Sequence, residues 1–459
     1  MALPRVLVLI VTLVLLGVGS RCWAQEEIAD EAPPPASVEE SVGPMDRSFV
    51  RPFRLLPPRP GFFPWLKEQL KDTPPFFRDT KLDLDLRTFY LNGGNFNGSR
   101  SEALATGGSL SYQSGWLLDR LSVGSVLYTS QPLYAPPDRD GTLLLEPGQN
   151  GYTVVGQLYA RVKILEESFL NLYRYTYDTP YISRHDNRMT PNTFQGYTLT
   201  GGIGGKDDGP GLQYGGGYIQ KMKGRNDDDF VWMSRVAGAS VDRGVGVLGA
   251  RFTYAGFSIG GIDYYSDDII NIAYGETTYK KTLAGLGVLF SAQYTGQQSV
   301  GDNLLMGVPF SANQLGLKVE SSYANAVVTF AYTRDGDGAD IQTPWSGTPG
   351  YTSALVQNFK NAGEQAFLVK GSYDFSSVGL SGLTAYAMYV HGWGTVSPAT
   401  KAPAPAENEI DFDVQWRPNQ GTFKGLWLRF RYGHVKQHQG ASGVTDQFQL
   451  IINYDFSLL

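Results

Sequence analysis

The sequence has few cysteines, few histidines and few charged residues. It contains one cysteine, Cys22, and 18% of its 459 residues are charged. A chain with a single cysteine cannot be held together by internal disulfides. The four histidines show no metal-ligand spacing, and no Gly-x-Ser-x-Gly motif marks a nucleophile. The sequence therefore predicts no cofactor, no metal site and no catalytic residues.

The N-terminus has the pattern of an export signal. Arg5 supplies a positive charge, residues 6–16 are apolar except for one threonine, and Ala24 ends a small-residue cleavage site. These features predict a signal peptide over residues 1–24, whose removal would also remove the cysteine. Acylation of Cys22 as a lipoprotein is the alternative, which Arg21 disfavours.

Long hydrophobic runs are also missing after residue 25, which excludes membrane-spanning helices. Glycine, with 55 residues, and aromatic residues, at 13%, are abundant instead, as is typical of strands and turns. A bilayer offers the backbone no hydrogen bonds, so only helices and closed barrels can cross it. Export and strand composition together leave a transmembrane barrel or a secreted all-β protein. The net charge of -6 gives no indication of a nucleic-acid partner.

Residues 25–75 form a tail rich in proline, first acidic and then basic. Such a segment cannot bury enough apolar surface to fold alone. Residues 64–70 could form one or two helical turns with proline first. The tail is interpreted as a periplasmic linker, or as an element that docks in or under the mouth of the following domain.

The last fourteen residues alternate between apolar and polar side chains. Phe448, Leu450, Ile452, Tyr454, Phe456 and Leu458 would share one strand face, and a mostly polar set would share the other. An aromatic-rich strand of this kind suits a barrel whose outside contacts lipid and whose inside is wet.

Similar alternating segments recur throughout residues 76–459. We count nineteen, near 81–90, 104–113, 119–130, 151–165, 168–177, 194–205, 211–222, 230–241, 245–254, 256–266, 269–279, 283–294, 312–320, 323–333, 364–376, 382–393, 408–417, 424–436 and 446–459. Single-chain bacterial barrels have even strand numbers, so one segment within 230–279 is expected to be wrong. The prediction is an antiparallel transmembrane β-barrel of about 18 strands with a water-filled interior.

Two connections are too long to be simple turns. They cover residues 177–192 and 335–363. Long ordered loops are usually functional, and in a wide barrel they have room to fold inward. We expect both loops to narrow the lumen.

Charged rows near the C-terminus give the clearest candidate site. Glu409, Asp411 and Asp413 share one face of a predicted strand, and Arg429 and Arg431 share one face of the next. A charge on the lipid face costs several kcal/mol at the bilayer centre, so both rows should face inward. The rows could line a transport path or merely form a cross-strand ion-pair ladder.

Further candidates follow from the same alternation and from the first long loop. They are Arg87, Arg161, Lys163 and Lys370 on strands, and Arg184, Asp186 and Arg188 in the loop. Guanidinium groups bind carboxylates in a fixed plane, so a row of them would form a path for anions or zwitterions. Weak binding at several sites is what conduction requires.

Five stretches resemble the porin D (OprD-type) family of outer-membrane porins. Residues 185–194 (HDNRMTPNTF) are similar to its constriction-loop pattern S-D-x-R-L-x-P-x-T-F. Residues 344–351 (PWSGTPGY), followed by 361–366 (NAGEQA) and 372–375 (SYDF), resemble a second family run. Residues 423–431 (FKGLWLRFR) resemble L-K-G-L-S-L-R-W-R. The resemblance implies an 18-stranded barrel whose arginine-lined constriction passes small water-soluble solutes, often carboxylates, by diffusion.

The expected function is thus passive, selective diffusion of small hydrophilic solutes across the bacterial outer membrane. Expected partners are those solutes, outer-membrane lipid and the barrel-assembly machinery, which would bind the C-terminal strand; the protein would be a monomer or a homotrimer. The alternatives are a barrel-based hydrolase, which needs a nucleophile beside a base, and a non-conducting adhesin or secreted β protein.

Overall fold

The computed structural model describes residues 62–205, 209–418 and 420–459. The predicted signal peptide and the tail up to residue 61 lie outside the described residues. Within the described part, the helix Pro64–Leu70 confirms the helical turns expected in the tail. The other α-helices there are short, Pro75–Arg78 and Met233–Val236, and no described helix is long and apolar enough to cross a membrane.

Strands make up most of the described chain. They are β1 Lys81–Gly94, β2 Arg100–Gln113, β3 Leu121–Tyr134, β4 Tyr152–Leu165, β5 Ser168–Tyr175, β6 Thr193–Gly204, β7 Gly211–Lys223, β8 Val231–Trp232, β9 Val245–Tyr254, β10 Phe257–Ser266, β11 Ile270–Leu283, β12 Leu286–Gln298, β13 Ser311–Tyr323, β14 Ala326–Asp335, β15 Gln365–Asp374, β16 Leu383–Trp393, β17 Ala406–Trp416, β18 Leu426–His438 and β19 Val444–Ser457.

Eighteen of these described strands form one closed antiparallel wall. Each long strand pairs with its neighbours in the chain, and β1 pairs with β19 from Asp83–Ser457 to Gly93–Gln447. The two-residue β8 only caps the end of β7, which pairs directly with β9. The predicted strand over 230–241 is therefore wrong, because its residues form β8 and the helix Met233–Val236. Closure leaves no strand edge exposed to lipid.

The wall is apolar outside and polar inside, as the alternation predicted. On β12, Gln293, Thr295 and Gln297 are at most 4% exposed, while Phe290 and Tyr294 are more than half exposed. Polar side chains can be buried inward because they find hydrogen-bond partners there, and apolar ones contact acyl chains outward. The pattern is the inverse of that of a soluble sandwich.

The connections at the two rims differ in length. At the rim that carries the chain end, tight turns join several strand pairs, such as Ala255-Gly256 and Ala284-Gly285, whose residues have positive φ. Paired positive φ values match the twist of a two-residue hairpin. The opposite rim carries the long connections. Barrels of this kind place short turns in the periplasm and long loops outside the cell.

Two of the long connections fold into the lumen, as expected. We call residues 176–192 the first lumen loop and residues 336–364 the second lumen loop. Together with the β7–β9 connection they bury an apolar cluster that includes Tyr181, Met233 and Trp345. This cluster packs against the inner face of the wall and leaves less room for solvent inside the barrel.

Candidate functional site

The two lumen loops are joined to each other. Ile182 of the first loop forms an antiparallel bridge with Ser346 of the second, and the Gly347 amide donates to the Tyr181 carbonyl at 3.2 Å. A Cβ atom at Gly347 would lie 2.2 Å from the Pro180 carbonyl oxygen, so only glycine permits this approach. The loops therefore form a single obstruction.

Buried aromatic residues fix this obstruction to the wall and to the β7–β9 connection. The Tyr181 hydroxyl donates to Thr295 Oγ1 at 3.0 Å, and its amide donates to the Tyr264 hydroxyl at 3.2 Å. The Trp345 indole donates to the Met233 carbonyl at 3.0 Å. Buried polar atoms that find such partners rigidify a loop, because opening the loop would leave them unsatisfied.

The charged end of the first lumen loop is attached to β1 through Arg87. Arg87 Nη1 lies 2.7 Å from Asp186 Oδ1, and the same guanidinium donates to the Arg188 carbonyl and to Asn453 Oδ1. Burial alone would raise the pKa of Asp186, but the Arg87 guanidinium outweighs burial and holds that pKa below its usual value. Asp186 is therefore ionised at neutral pH and binds the loop to the wall.

Three arginines lie close together beside this attachment. Arg188 donates to the Thr142 carbonyl at 2.9 Å, and Arg225 donates to the Asn187 side chain. Burial first, and then the positive charges of Arg225 and Arg431, lower the pKa of Arg188 to about 9. Burial lowers the pKa of Arg225 to about 10. Arg188 and Arg225 therefore keep their charge at neutral pH, and they create a positive potential that an anion would relieve.

The ion pairs expected between β17 and β18 occur at one carboxylate. Asp413 is 1% exposed, and both Nε of Arg431 and Nη2 of Arg429 lie 2.8 Å from its Oδ2. Arg431 also donates to the Tyr386 hydroxyl at 3.4 Å. The two arginines of β18 thus share one buried carboxylate.

The other two members of the acidic row have a different role. Asp411 accepts the Leu355 amide at 2.9 Å, and Glu409 accepts the amides of Val356 and Gln357 at 2.7 and 2.8 Å. All three donors belong to the second lumen loop. These two carboxyl groups hold that loop against the wall by accepting hydrogen bonds from its backbone.

The register explains why the row of ion pairs is short. The residues opposite Asp411 and Glu409 on β18 are Gly433 and Val435, which carry no charge. A Cβ atom at Gly433 would lie 3.0 Å from Val356 Cγ2, so the missing side chain makes room for the second lumen loop. An acidic row beside a basic row, as the sequence predicted, is present at Asp413 alone.

Two strand candidates lie away from the arginine group, near the rim of the short turns. Arg161 donates to Asn171 Oδ1 at 3.2 Å, and its guanidinium lies 4.3 Å from the Phe169 ring centroid. Lys163 is opposite Phe169 in the β4–β5 register, two residues before the end of β4. The structure does not bring these two residues to the lumen loops.

The last two candidates lie nearer to the loops. Arg184 Nε is 3.4 Å from Asp178 Oδ2 within the first lumen loop. Lys370 Nζ lies 4.1 Å from the ring centroid of Tyr386, the same tyrosine that contacts Arg431. Lys370 is thereby connected to the arginine pair of β18 through one aromatic ring.

Sequence reasoning missed Arg225. It follows β7 in a connection whose acidic stretch reads as an ordinary barrel turn, and no alternation or motif in the sequence marks it. Its contacts with Asn187 and Thr190 show that it belongs with the first lumen loop. Alternation along the sequence predicts which strand side chains face inward, but it cannot place the side chains of inward-folded loops, because these loops have no strand periodicity.

Residues that could hold a metal ion are few in the described part of the chain. Oxygen atoms of Glu146, Asp227 and Asp228 lie within 4.8 Å of one another where two long connections meet. Burial, followed by the charge of Asp228, raises the pKa of Glu146. Acidic clusters of this kind are common on surfaces, and the geometry assigns no transport role to this one.

A closed barrel with an apolar exterior, a polar interior and inward-folded loops defines the class of outer-membrane porins. The family model described as "outer membrane porin, OprD family" matches residues 74–458. The chain belongs to the OprD family, whose members are passive outer-membrane channels for small solutes. This assignment favours the channel interpretation over the hydrolase and adhesin alternatives.

Known relatives agree with the assignment. The chain is 25% identical over 420 residues to the porin-like protein GalP of Pseudomonas putida, covering 84% of this chain and 93% of GalP. The crystal structure of Pseudomonas aeruginosa OccK9 (OpdG) superposes with a TM-score of 0.73 at 25% identity, over 84% of this chain and 100% of that one. Pseudomonas aeruginosa OpdK with vanillate gives a TM-score of 0.72 at 20% identity, over 83% and 100%.

Proposed function

We propose that this porin passes small carboxylate-bearing solutes, such as organic acids or amino acids, through a constriction lined by arginines. Arg188 of the first lumen loop, Arg225 of the β7–β9 connection and Arg431 of β18 would form its positive side. The proposal rests on the contacts of Arg188 and Arg225, which meet at Asn187 and donate there to neutral oxygens. The charge of Arg431 is near enough to lower the pKa of Arg188 further.

The charge balance around the group supports an anionic guest. Asp413 pairs with both arginines of β18, and Asp186 pairs with Arg87. Arg188 and Arg225 donate to neutral carbonyl and amide oxygens instead. A carboxylate entering the constriction would therefore meet two guanidinium groups, those of Arg188 and Arg225, that form no ion pair with a carboxylate of the described residues.

The remaining basic candidates would extend this path. Lys370 is joined to the constriction through Tyr386, and Arg161 and Lys163 lie toward the rim of the short turns. Several weak sites in sequence favour conduction over tight binding. Arg184, which pairs with Asp178, would contribute at the opposite entrance.

Export and assembly would involve different parts of the chain. Residues 1–24 would be removed on export, residues 25–75 would remain in the periplasm, and residues 76–459 would form the barrel. The alternating strand β19 would be the segment that the barrel-assembly machinery binds. The molecule would function as a monomer or a homotrimer.

Liposome swelling tests the solute class. Gluconate and glucose have similar size but differ in a carboxylate, so we expect gluconate to enter several-fold faster through the purified porin. Replacing Arg188→Gln and Arg431→Gln together should remove that difference. Lys436→Gln is the matched control, because it removes one positive charge from the exposed, outward face of the same β18 strand. Equal rates for both solutes in the unaltered protein would contradict the proposal.

A further inference from the structure

The segment just before the barrel is bound to the wall at both of its ends. We call residues 62–80 the rim segment. The amides of Phe62 and Phe63 donate to the carbonyls of Ser457 and Leu458 at 3.0 and 3.1 Å. Near its other end, the Phe76 carbonyl accepts the Gly115 amide at 2.9 Å, in the β2–β3 connection. The rim segment therefore follows the barrel edge that carries the short turns.

This segment exposes large aromatic side chains. Phe62 is 70% exposed, Trp65 is 58% exposed and Phe77 is 51% exposed, and the helix Pro64–Leu70 has no buried residue. Soluble surfaces rarely leave several large aromatic side chains together in water. An apolar partner would bury these side chains and remove their apolar surface from water.

The exposed rings continue the lipid-facing surface of the barrel. The Phe62 ring centroid lies 6.4 Å from that of Phe456, which in turn lies 5.7 Å from Tyr454. Phe456 and Tyr454 point outward on β19, away from the lumen. Phe63 and Trp65 extend the same row, with centroids 6.3 Å apart. The aromatic surface thus passes without a break from the strand to the rim segment.

The charges of the rim segment do not select a charged partner. Its three basic residues are matched by three acidic ones, and two of these pairs are in contact, Lys71–Glu68 at 3.2 Å and Arg78–Asp79 at 2.8 Å. Attachment would come from aromatic side chains at the headgroup boundary, the depth at which tryptophan and tyrosine concentrate in membrane proteins.

We propose that the rim segment is an interfacial anchor whose Phe62, Phe63 and Trp65 side chains insert into the phospholipid leaflet on the periplasmic side. These three residues precede the region that the family model matches, residues 74–458, so the anchor is a feature of this chain beyond the family description. The anchor is independent of which solute the barrel passes.

Spin labels test the anchor in the whole protein refolded into phosphatidylethanolamine and phosphatidylcholine liposomes. Labels are attached at Trp65→Cys, Lys67→Cys or Phe448→Cys after Cys22→Ala removes the native thiol. We expect the label at position 65 to collide with oxygen more than with a water-soluble nickel complex, as the lipid-facing label at 448 does. The label at position 67, on the opposite side of the same helix, should show the reverse.

Two results would overturn the anchor. One is a label at position 65 that behaves like the label at position 67. The other is a label shielded from both reagents and broadened by a second label, which would indicate a contact between two copies of the chain.

A protease experiment gives a second, independent readout. With Phe62, Phe63 and Trp65 all changed to Ser, trypsin should cleave after Lys67 and Lys71 at least tenfold faster in liposomes, while the conductance of the barrel stays unchanged. Equal cleavage rates for the variant and the unaltered protein would contradict the anchor.

Discussion

Asp413 shows how single side chains set both the stability and the charge of the wall. It is almost fully buried and receives two guanidinium groups from β18. A buried carboxylate is tolerated only while it is paired, since an uncompensated buried charge costs about 3–5 kcal/mol. The arginines of β18 therefore stabilise the wall as well as charging it.

Removing both arginines should separate these two roles. We expect Arg429→Gln with Arg431→Gln to lower the anion preference, measured as the reversal potential across a KCl gradient, and to lower the temperature at which the barrel unfolds on electrophoresis. Adding Asp413→Asn should restore the unfolding temperature by removing the unpaired charge, but should not restore the anion preference. An unchanged reversal potential in the double variant would reject the role of these arginines in selectivity.

Glu364, at the end of the second lumen loop, predicts a pH dependence of stability. The Glu364 side chain is fully buried, and burial raises its pKa to about 7. The nearby Glu407 carboxylate also raises this pKa, whereas hydrogen bonds from Asn361 lower it. The folded protein therefore binds the Glu364 proton more tightly than the unfolded chain does, because the pKa of this carboxyl group in the unfolded chain is 4.5. The stability that the protonated Glu364 side chain contributes is complete below pH 4.5 and is lost as the pH rises through about 7.

The unfolding temperature should consequently fall between pH 5 and pH 7.5. In Glu364→Gln the side chain cannot ionise, so the slope over this window should flatten. Circular dichroism melts at half-unit pH steps measure both slopes. Identical slopes in the two proteins would show that Glu364 does not titrate in this range.

Strands and loops differed in how well the sequence predicted them. Period-two alternation placed the eighteen wall strands and their inward faces, because lipid outside and water inside impose opposite demands on neighbouring residues. The same reasoning failed at residues 230–241, where Met233 is buried in a loop cluster rather than in the wall. Alternation also assigned Glu409 and Asp411 to a row of ion pairs, whereas both groups accept backbone amides of the second lumen loop. No sequence pattern marks these amides as donors.

The junction between the two lumen loops makes a prediction about pore size. Gly347→Ala would place a methyl group against the Pro180 carbonyl, and overpacking of this kind typically costs about 1–3 kcal/mol. We expect the loops to separate, giving larger and noisier single-channel currents.

Gly371→Ala on β15 is the matched control for Gly347→Ala. A Cβ atom there meets no heavy atom within 4 Å, so its currents should match those of the unaltered protein. Unchanged currents in both variants would show that the bridge between Ile182 and Ser346 does not set the width of the passage.

The complete barrel unites these features in one arrangement. Its wall closes through β1 and β19, its apolar side chains face lipid, and its ionised groups surround an interior narrowed by two loops. The resemblance of a few motifs to the OprD family predicted this architecture, and the family assignment confirms it. The solute, in contrast, depends on side-chain distances within loops that no sequence period describes.

The most direct test of this account is the current through single molecules of the purified, folded protein in a planar lipid bilayer. We predict stepwise conductance at both polarities and, under a KCl gradient, a reversal potential shifted toward that of chloride. A folded protein that inserts but gives no current steps would contradict the account of an open aqueous passage, and a potential shifted toward that of potassium would contradict its arginine lining.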